Sequence, residues 1–111
     1  MQIEILYFDG CPHHVPAVER VRGVLSDMGV EASVIEVAVS EPGMATQIGF
    51  LGSPSVRVDG LDVEPAARGS DQIGYGCRTY VNGGRREGLP SVELIRAALE
   101  EVGSGDIPGT H

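Results

Sequence analysis

Ile3-Glu4-Ile5-Leu6-Tyr7-Phe8-Asp9-Gly10-Cys11-Pro12-His13-His14 joins an almost unbroken apolar run to a segment with helical periodicity. The run predicts a first strand over about 2–8, and its continuity predicts a central strand covered on both faces. A helix is expected from about Val15 to Met28, with Val18, Val21, Leu25 and Met28 at three- and four-residue spacing as its buried stripe. A cysteine stands at the junction. A thiol where a strand gives way to a helix meets unpaired N–H groups and the positive end of the helix dipole, which favour thiolate over thiol.

Outward from this junction, Gly29 suits the left-handed position that ends a helix, and Glu31 to Val37 reads as a second strand. A strand–helix–strand unit with short connections is right-handed, so the two strands should be parallel. Ser40 to Gly43 reads as a turn, and Met44 to Phe50 as one or two helical turns. Gly52-Ser53-Pro54-Ser55-Val56-Arg57-Val58 reads as a loop entering a third strand, with Val56 and Val58 alternating against Arg57. Asp59-Gly60 is a two-residue hairpin signal that returns Leu61-Asp62-Val63 antiparallel. Periodicity fails across 64–88, where Cys77-Arg78-Thr79-Tyr80-Val81 is the strand-like island. Ser91 can cap a last helix whose apolar face is Leu94, Ile95, Ala98, Leu99 and Val102. The expected organisation is one domain over 1–102, interrupted by the insertion 64–88 and followed by a flexible tail over 103–111.

The chain has 111 residues, which suits one core. Only five of these residues are aromatic, so the core is expected to be aliphatic. A formal net charge of -8, with arginine as the sole fixed cation, argues against nucleic acid and anionic membrane surfaces as partners. No apolar run approaches the roughly 20 residues that span a bilayer. No basic segment followed by an apolar region and a small-residue cleavage site opens the chain, so a cytoplasmic location is expected. In a reducing compartment, Cys11 and Cys77 are then expected to be reactive, metal-binding or inert rather than structurally bridged. No cofactor is called for.

Cys11 is the first candidate for chemistry, against the reading of free cysteine as a small buried apolar residue. Pro12 suits a first helical position, while Pro16 predicts an irregular first turn because it cannot donate to the Pro12 carbonyl. His14 is a candidate to orient or deprotonate Cys11 or to bind metal beside it, and a solvent-facing helix residue otherwise. His13 is expected to face water. Asp9 is a candidate proton donor or acceptor, although Asp-Gly is also an ordinary turn dipeptide. Cys77 decides between mechanisms. Folded back over the motif, it resolves a mixed disulfide on Cys11 or completes a two-thiolate site for a soft cation; pointed into the core, it leaves Cys11 alone. Arg78, Arg85 and Arg86 suit either an anion site or a solvated turn.

Cys11-Pro12-His13-His14 after the first strand, Ser53-Pro54-Ser55-Val56 before the third and the Asp59-Gly60 hairpin together resemble the thioredoxin-like superfamily. The resemblance covers about Met1 to Val63 and Ser91 to Val102, and it extends to small bacterial thioredoxin-like proteins associated with the label alkylmercury lyase. It implies an α/β three-layer sandwich: a central mixed sheet of about four strands flanked by helices, with an irregular insertion before the last helix. It further implies Cys11 as nucleophile and a cis peptide at Ser53-Pro54, a bond type open almost only to proline. That turn would expose the Ser53 backbone beside Cys11 to an extended thiol-bearing ligand. His14 stands where a dithiol oxidoreductase has its resolving cysteine. The expected activity is thiol–disulfide exchange with a thiol-bearing protein or small thiol. The alternatives are a soft-metal or organomercurial protein, with Cys11 and Cys77 as metal ligands and Asp9 or His14 as acid, and a non-catalytic binding module.

Overall fold

The computed structural model describes residues 1–70 and 73–105. Its organising element is strand β1 (Gln2–Tyr7), which lies inside a four-stranded mixed sheet. Helix α1 (His14–Met28) crosses to β2 (Ser33–Ala38), which pairs parallel with β1 from Gln2↔Ser33 to Tyr7↔Ala38. Helix α2 (Pro42–Ile48) and the short strand β3 (Leu51–Ser53) follow. Strand β4 (Ser55–Val58) pairs antiparallel with β1, and β5 (Leu61–Asp62) antiparallel with β4, giving the order β2-β1-β4-β5.

The turn between β4 and β5 has Asp59 at φ 48° and Gly60 at φ 86°, the pair of positive angles a two-residue hairpin requires. Asp59 also accepts the Gln2 N–H on its carboxylate at 2.7 Å, which locks the hairpin to the start of β1. The described residues of the segment 64–88 form more regular structure than its composition suggests. A 3-10 turn (Pro65–Ala67) leads to β6 (Gly74–Cys77), and β7 (Tyr80–Asn82) and β8 (Arg85–Glu87) form a hairpin of their own. Helix α3 (Val92–Gly105) closes the fold, with its Leu94 N–H capped by the Ser91 hydroxyl at 3.1 Å.

Alternation along β1 divides the core. Ile3 and Ile5 point to one face, where they meet Val56 and Val58 of β4, Ala17, Val21, Val24 and Leu25 of α1, and Ile95, Ala98 and Leu99 of α3. Leu6 points to the other, where it meets Val39, Ala45 and Phe50 around α2. The sheet is therefore covered by helices on both sides, as a central apolar strand demands. Val18 and Met28, expected as core, are only partly buried, and Ala17 and Val24 take the deeper positions.

Three local expectations are corrected. The second strand begins at Ser33 rather than Glu31, because the left-handed Gly29 and the following Val30 first close the helix end onto Leu25 and Ser26. Pro12 lies outside α1, ahead of the N-cap residue His13. Pro16 therefore falls in the first helical turn, where an N–H has no acceptor within the helix, and the ladder starts regularly with Ala17 N–H to His13 O at 3.0 Å. Residues 103–105 continue α3; the rest of the expected tail, 106–111, lies outside the described residues.

Candidate thiol site at the end of strand β1

Where β1 ends, the chain turns sharply before α1. Cys11 N–H bonds to Phe8 O at 3.2 Å across a turn in which Gly10 takes φ 85°. The His14 N–H then bonds to Cys11 O at 3.3 Å. Cys11 is a free thiol, 9% exposed, two residues ahead of the N-cap instead of inside the first turn.

The peptide bond between Ser53 and Pro54 is cis. Ser53 is fully buried, and its hydroxyl accepts the Phe8 N–H at 3.3 Å, so this turn is fastened directly to the end of β1. On its other side β3 pairs parallel with β6, in the register Leu51↔Gly74 and Ser53↔Cys77. Gly74 N–H donates to Phe50 O and Arg78 N–H to Ser53 O, each at 2.9 Å. The expectation of a Ser53 backbone open to an extended ligand is thereby corrected at its carbonyl, which accepts the N–H of Arg78, the residue after β6. Gly52 permits the approach. Its φ is 116°, and a Cβ there would stand 2.9 Å from the Arg78 Cβ.

Arg78 secures this arrangement. Its guanidinium makes two bonds to the Asp62 carboxylate, at 2.7 and 2.8 Å, a third to Ser55 Oγ at 3.0 Å and a longer contact to Glu64 at 3.4 Å. Its charge centre lies 4.3 Å from the centroid of the Tyr80 ring. The Tyr80 hydroxyl donates to Pro54 O at 2.6 Å. Burial works against the arginine charge, but the Asp62 hydrogen bond and the surrounding Tyr80, Asp62 and Glu64 outweigh it, and its pKa lies above the usual arginine value. Burial likewise raises the Tyr80 phenol well above the ordinary range. Arg78 is thus neither a solvated turn residue nor a free anion site. Arg85 and Arg86 lie exposed on β8.

The sequence candidates divide between two sides of the site. Cys77 is an exposed free thiol. With Phe8, Asp9, Ser40 and Gly76 it lines an open cleft of about 450 Å³. Phe8 and Asp9 follow β1 and Ser40 follows β2, so the cleft lies beyond the carboxyl ends of two adjacent parallel strands, the crevice where α/β sheets commonly take ligands. Asp9 is exposed. His14 faces elsewhere: its Nε2 lies 2.6 Å from Glu36 Oε1 on β2, and its ring stacks on Tyr7 with centroids 3.5 Å apart. His13, expected in water, is half-buried with its ring packed against Gly88. The chain therefore sets Cys77 and Asp9 in one cleft, places Ser53 across from Cys77 and against Phe8, closes the Cys11 turn onto Phe8, and commits His14 to the neighbouring strand. Sequence reasoning passed over Asp62, Ser55 and Tyr80. Asp62 in an inward-facing β5 and Arg78 in an apolar island are complementary charges in buried contexts, the one signal available for pairing them.

Among the described residues, no group of three or more His, Cys, Asp and Glu side chains is placed to hold a metal ion, and no helix is long and apolar enough to cross a membrane. Comparison with protein-family models, curated proteins and solved structures returned no match to this chain.

Proposed function

We propose that this chain performs thiol–disulfide exchange on a thioredoxin-like scaffold, with Cys11 and Cys77 as its two thiols. The observation that carries the reading is the pairing of β6 with β3. It sets Cys77 across from Ser53, whose hydroxyl touches Phe8, the residue onto which the Cys11 turn closes. Backbone pairing thus links both cysteines, distant in sequence, to the Phe8–Ser53 contact, and both are free. In the reaction a thiolate of the protein attacks one sulfur of a substrate disulfide, forming a mixed disulfide and releasing the first thiol. The second protein thiolate attacks the protein sulfur of that bond and releases the second thiol. The two cysteines end joined and oxidised, and the substrate takes up two electrons and two protons.

Mild oxidation of the reduced protein, followed by proteolysis and mass spectrometry, tests the reading. A Cys11–Cys77 cross-linked peptide is the expected product. Two thiols that stay free, or that bridge only between molecules, would refute the exchange reaction and leave a non-catalytic module. Mercury(II) titration separates the soft-metal alternative: one tight equivalent per chain, without any disulfide under oxidation, would favour ligation over exchange.

A further inference from the structure

Exposure and strand pairing say which thiol meets the substrate and how large that substrate can be. Cys77 is exposed and lines the 450 Å³ cleft, whereas Cys11 is 9% exposed and does not line it. Exchange begins at the sulfur an incoming disulfide can reach. An extended polypeptide gains most of its hold on such a protein by adding a strand to an open backbone edge. At Ser53 that edge is filled by β6, and the residue after β6, Arg78, is pinned by a carboxylate 5% exposed. The cleft has the volume of a small-molecule site, within the range of about 300–1,000 Å³.

Resting on the exchange reaction proposed above, we infer that Cys77 is the entry thiol and Cys11 the second, and that the substrate is a low-molecular-weight disulfide received in the Phe8–Asp9–Ser40–Cys77 cleft. This reverses the order implied by the position of Cys11 before α1. The Cys77 thiolate attacks the small disulfide RS–SR, forming Cys77–S–S–R and releasing one RS⁻. The Cys11 thiolate then attacks the Cys77 sulfur, the bond to R breaks, and the second RS⁻ leaves. The oxidised pair returns to the dithiol by exchange with a reducing thiol, which is itself converted to a disulfide.

The reduced full chain is mixed with 2-hydroxyethyl disulfide, and released thiol and protein mass are followed together. Wild type is expected to release two equivalents and lose two hydrogens. Cys11→Ser is expected to release one equivalent and keep an adduct on Cys77, and Cys77→Ser to release less than about a tenth of an equivalent in the same time. A disulfide-linked dimer of a ten-residue unstructured peptide, offered to wild type at equal concentration, is expected to react at least about tenfold more slowly. An adduct that accumulates on Cys11 in Cys77→Ser at the wild-type pace overturns the order of attack and leaves the exchange reaction standing. A peptide disulfide that reacts as fast as the small one overturns the size limit alone. No release by wild type sinks the exchange reaction and this inference together. Wild type also gives a check free of substitutions: with a limiting maleimide, Cys77 is expected to be labelled before Cys11, and the opposite order counts against the assignment.

Discussion

Replacing Asp62 with alanine is expected to remove a large part of the stability of this protein, although Asp62 takes no part in thiol chemistry. The Asp62 and Arg78 side chains are 5% and 6% exposed and share two short bonds. Taking away the carboxylate leaves a buried guanidinium with Ser55 Oγ at 3.0 Å and Glu64 at 3.4 Å. Removing one partner of a buried pair typically costs about 3–5 kcal/mol, against about 5–15 kcal/mol for the stability of a whole domain. Glu64 is 23% exposed and can move toward the orphaned charge, which places the expected loss near the lower end, about 3 kcal/mol. With urea slopes of about 1–3 kcal/mol per molar, the unfolding midpoint falls by about 1–3 M. The double variant Asp62→Leu with Arg78→Met removes both charges and is expected to lie within about 2 kcal/mol of wild type, because two charges no longer need desolvation. A loss below about 1 kcal/mol for Asp62→Ala, the range of an exposed pair, would show that water reaches Arg78 and that the insertion is not anchored there.

Three other outcomes follow from the same packing. Gly52→Ala puts a side chain at φ 116° and 2.9 Å from Arg78 Cβ; the expected loss is about 2–4 kcal/mol by urea unfolding, with faster amide exchange at Gly74 and Arg78. The Tyr80 phenol is raised by burial above its reference of 10.0, so the unfolded chain ionises first; this contribution is intact below pH ~10 and fades as pH rises toward the folded value. Tyr80→Phe is expected to flatten the alkaline slope of a pH series of urea midpoints, while costing about 1 kcal/mol at neutral pH through the lost Pro54 bond. Ser91→Ala removes the cap on Leu94 and should lower stability by about 1 kcal/mol, a drop of several degrees in Tm by calorimetry; an unchanged Tm would mean that water replaces the hydroxyl at no loss.

Where physics is local, the amino-acid sequence was readable. Strand β1 follows from its apolar run, the hairpin from Asp59-Gly60, and α3 from Ser91 and its apolar spacing, because each depends on neighbours within a turn or two. Strand β3 escaped notice. It has three residues, includes a glycine and is defined by a partner beyond the hairpin, so nothing in its own composition distinguishes it from a loop. Arg78 was misread for a related reason. Arginine is usually solvated, and only its three-dimensional encounter with Asp62 makes burial tolerable. At the site, Cys11 and Cys77 were visible as residues, but the placement of Cys77 across from Ser53 was not, since it depends on the β3–β6 register. His14, the last residue of the motif, is drawn to Glu36 across the parallel pair, a contact no short-range pattern encodes.

The parallel pairing of β6 with β3 also bears on how this protein could be shortened. A chain cut at Glu64 and rejoined at Gly88 looks attractive on paper, because it removes a glycine-rich stretch and keeps the four-stranded sheet. It would strip the cover from Phe50 O and Ser53 O and leave Asp62 buried without its cation. Bare strand edges recruit other strands, and an unpaired inward carboxylate weakens the fold that should hold them apart. Such a truncation is expected to yield a self-associating, aggregation-prone polypeptide instead of a minimal domain.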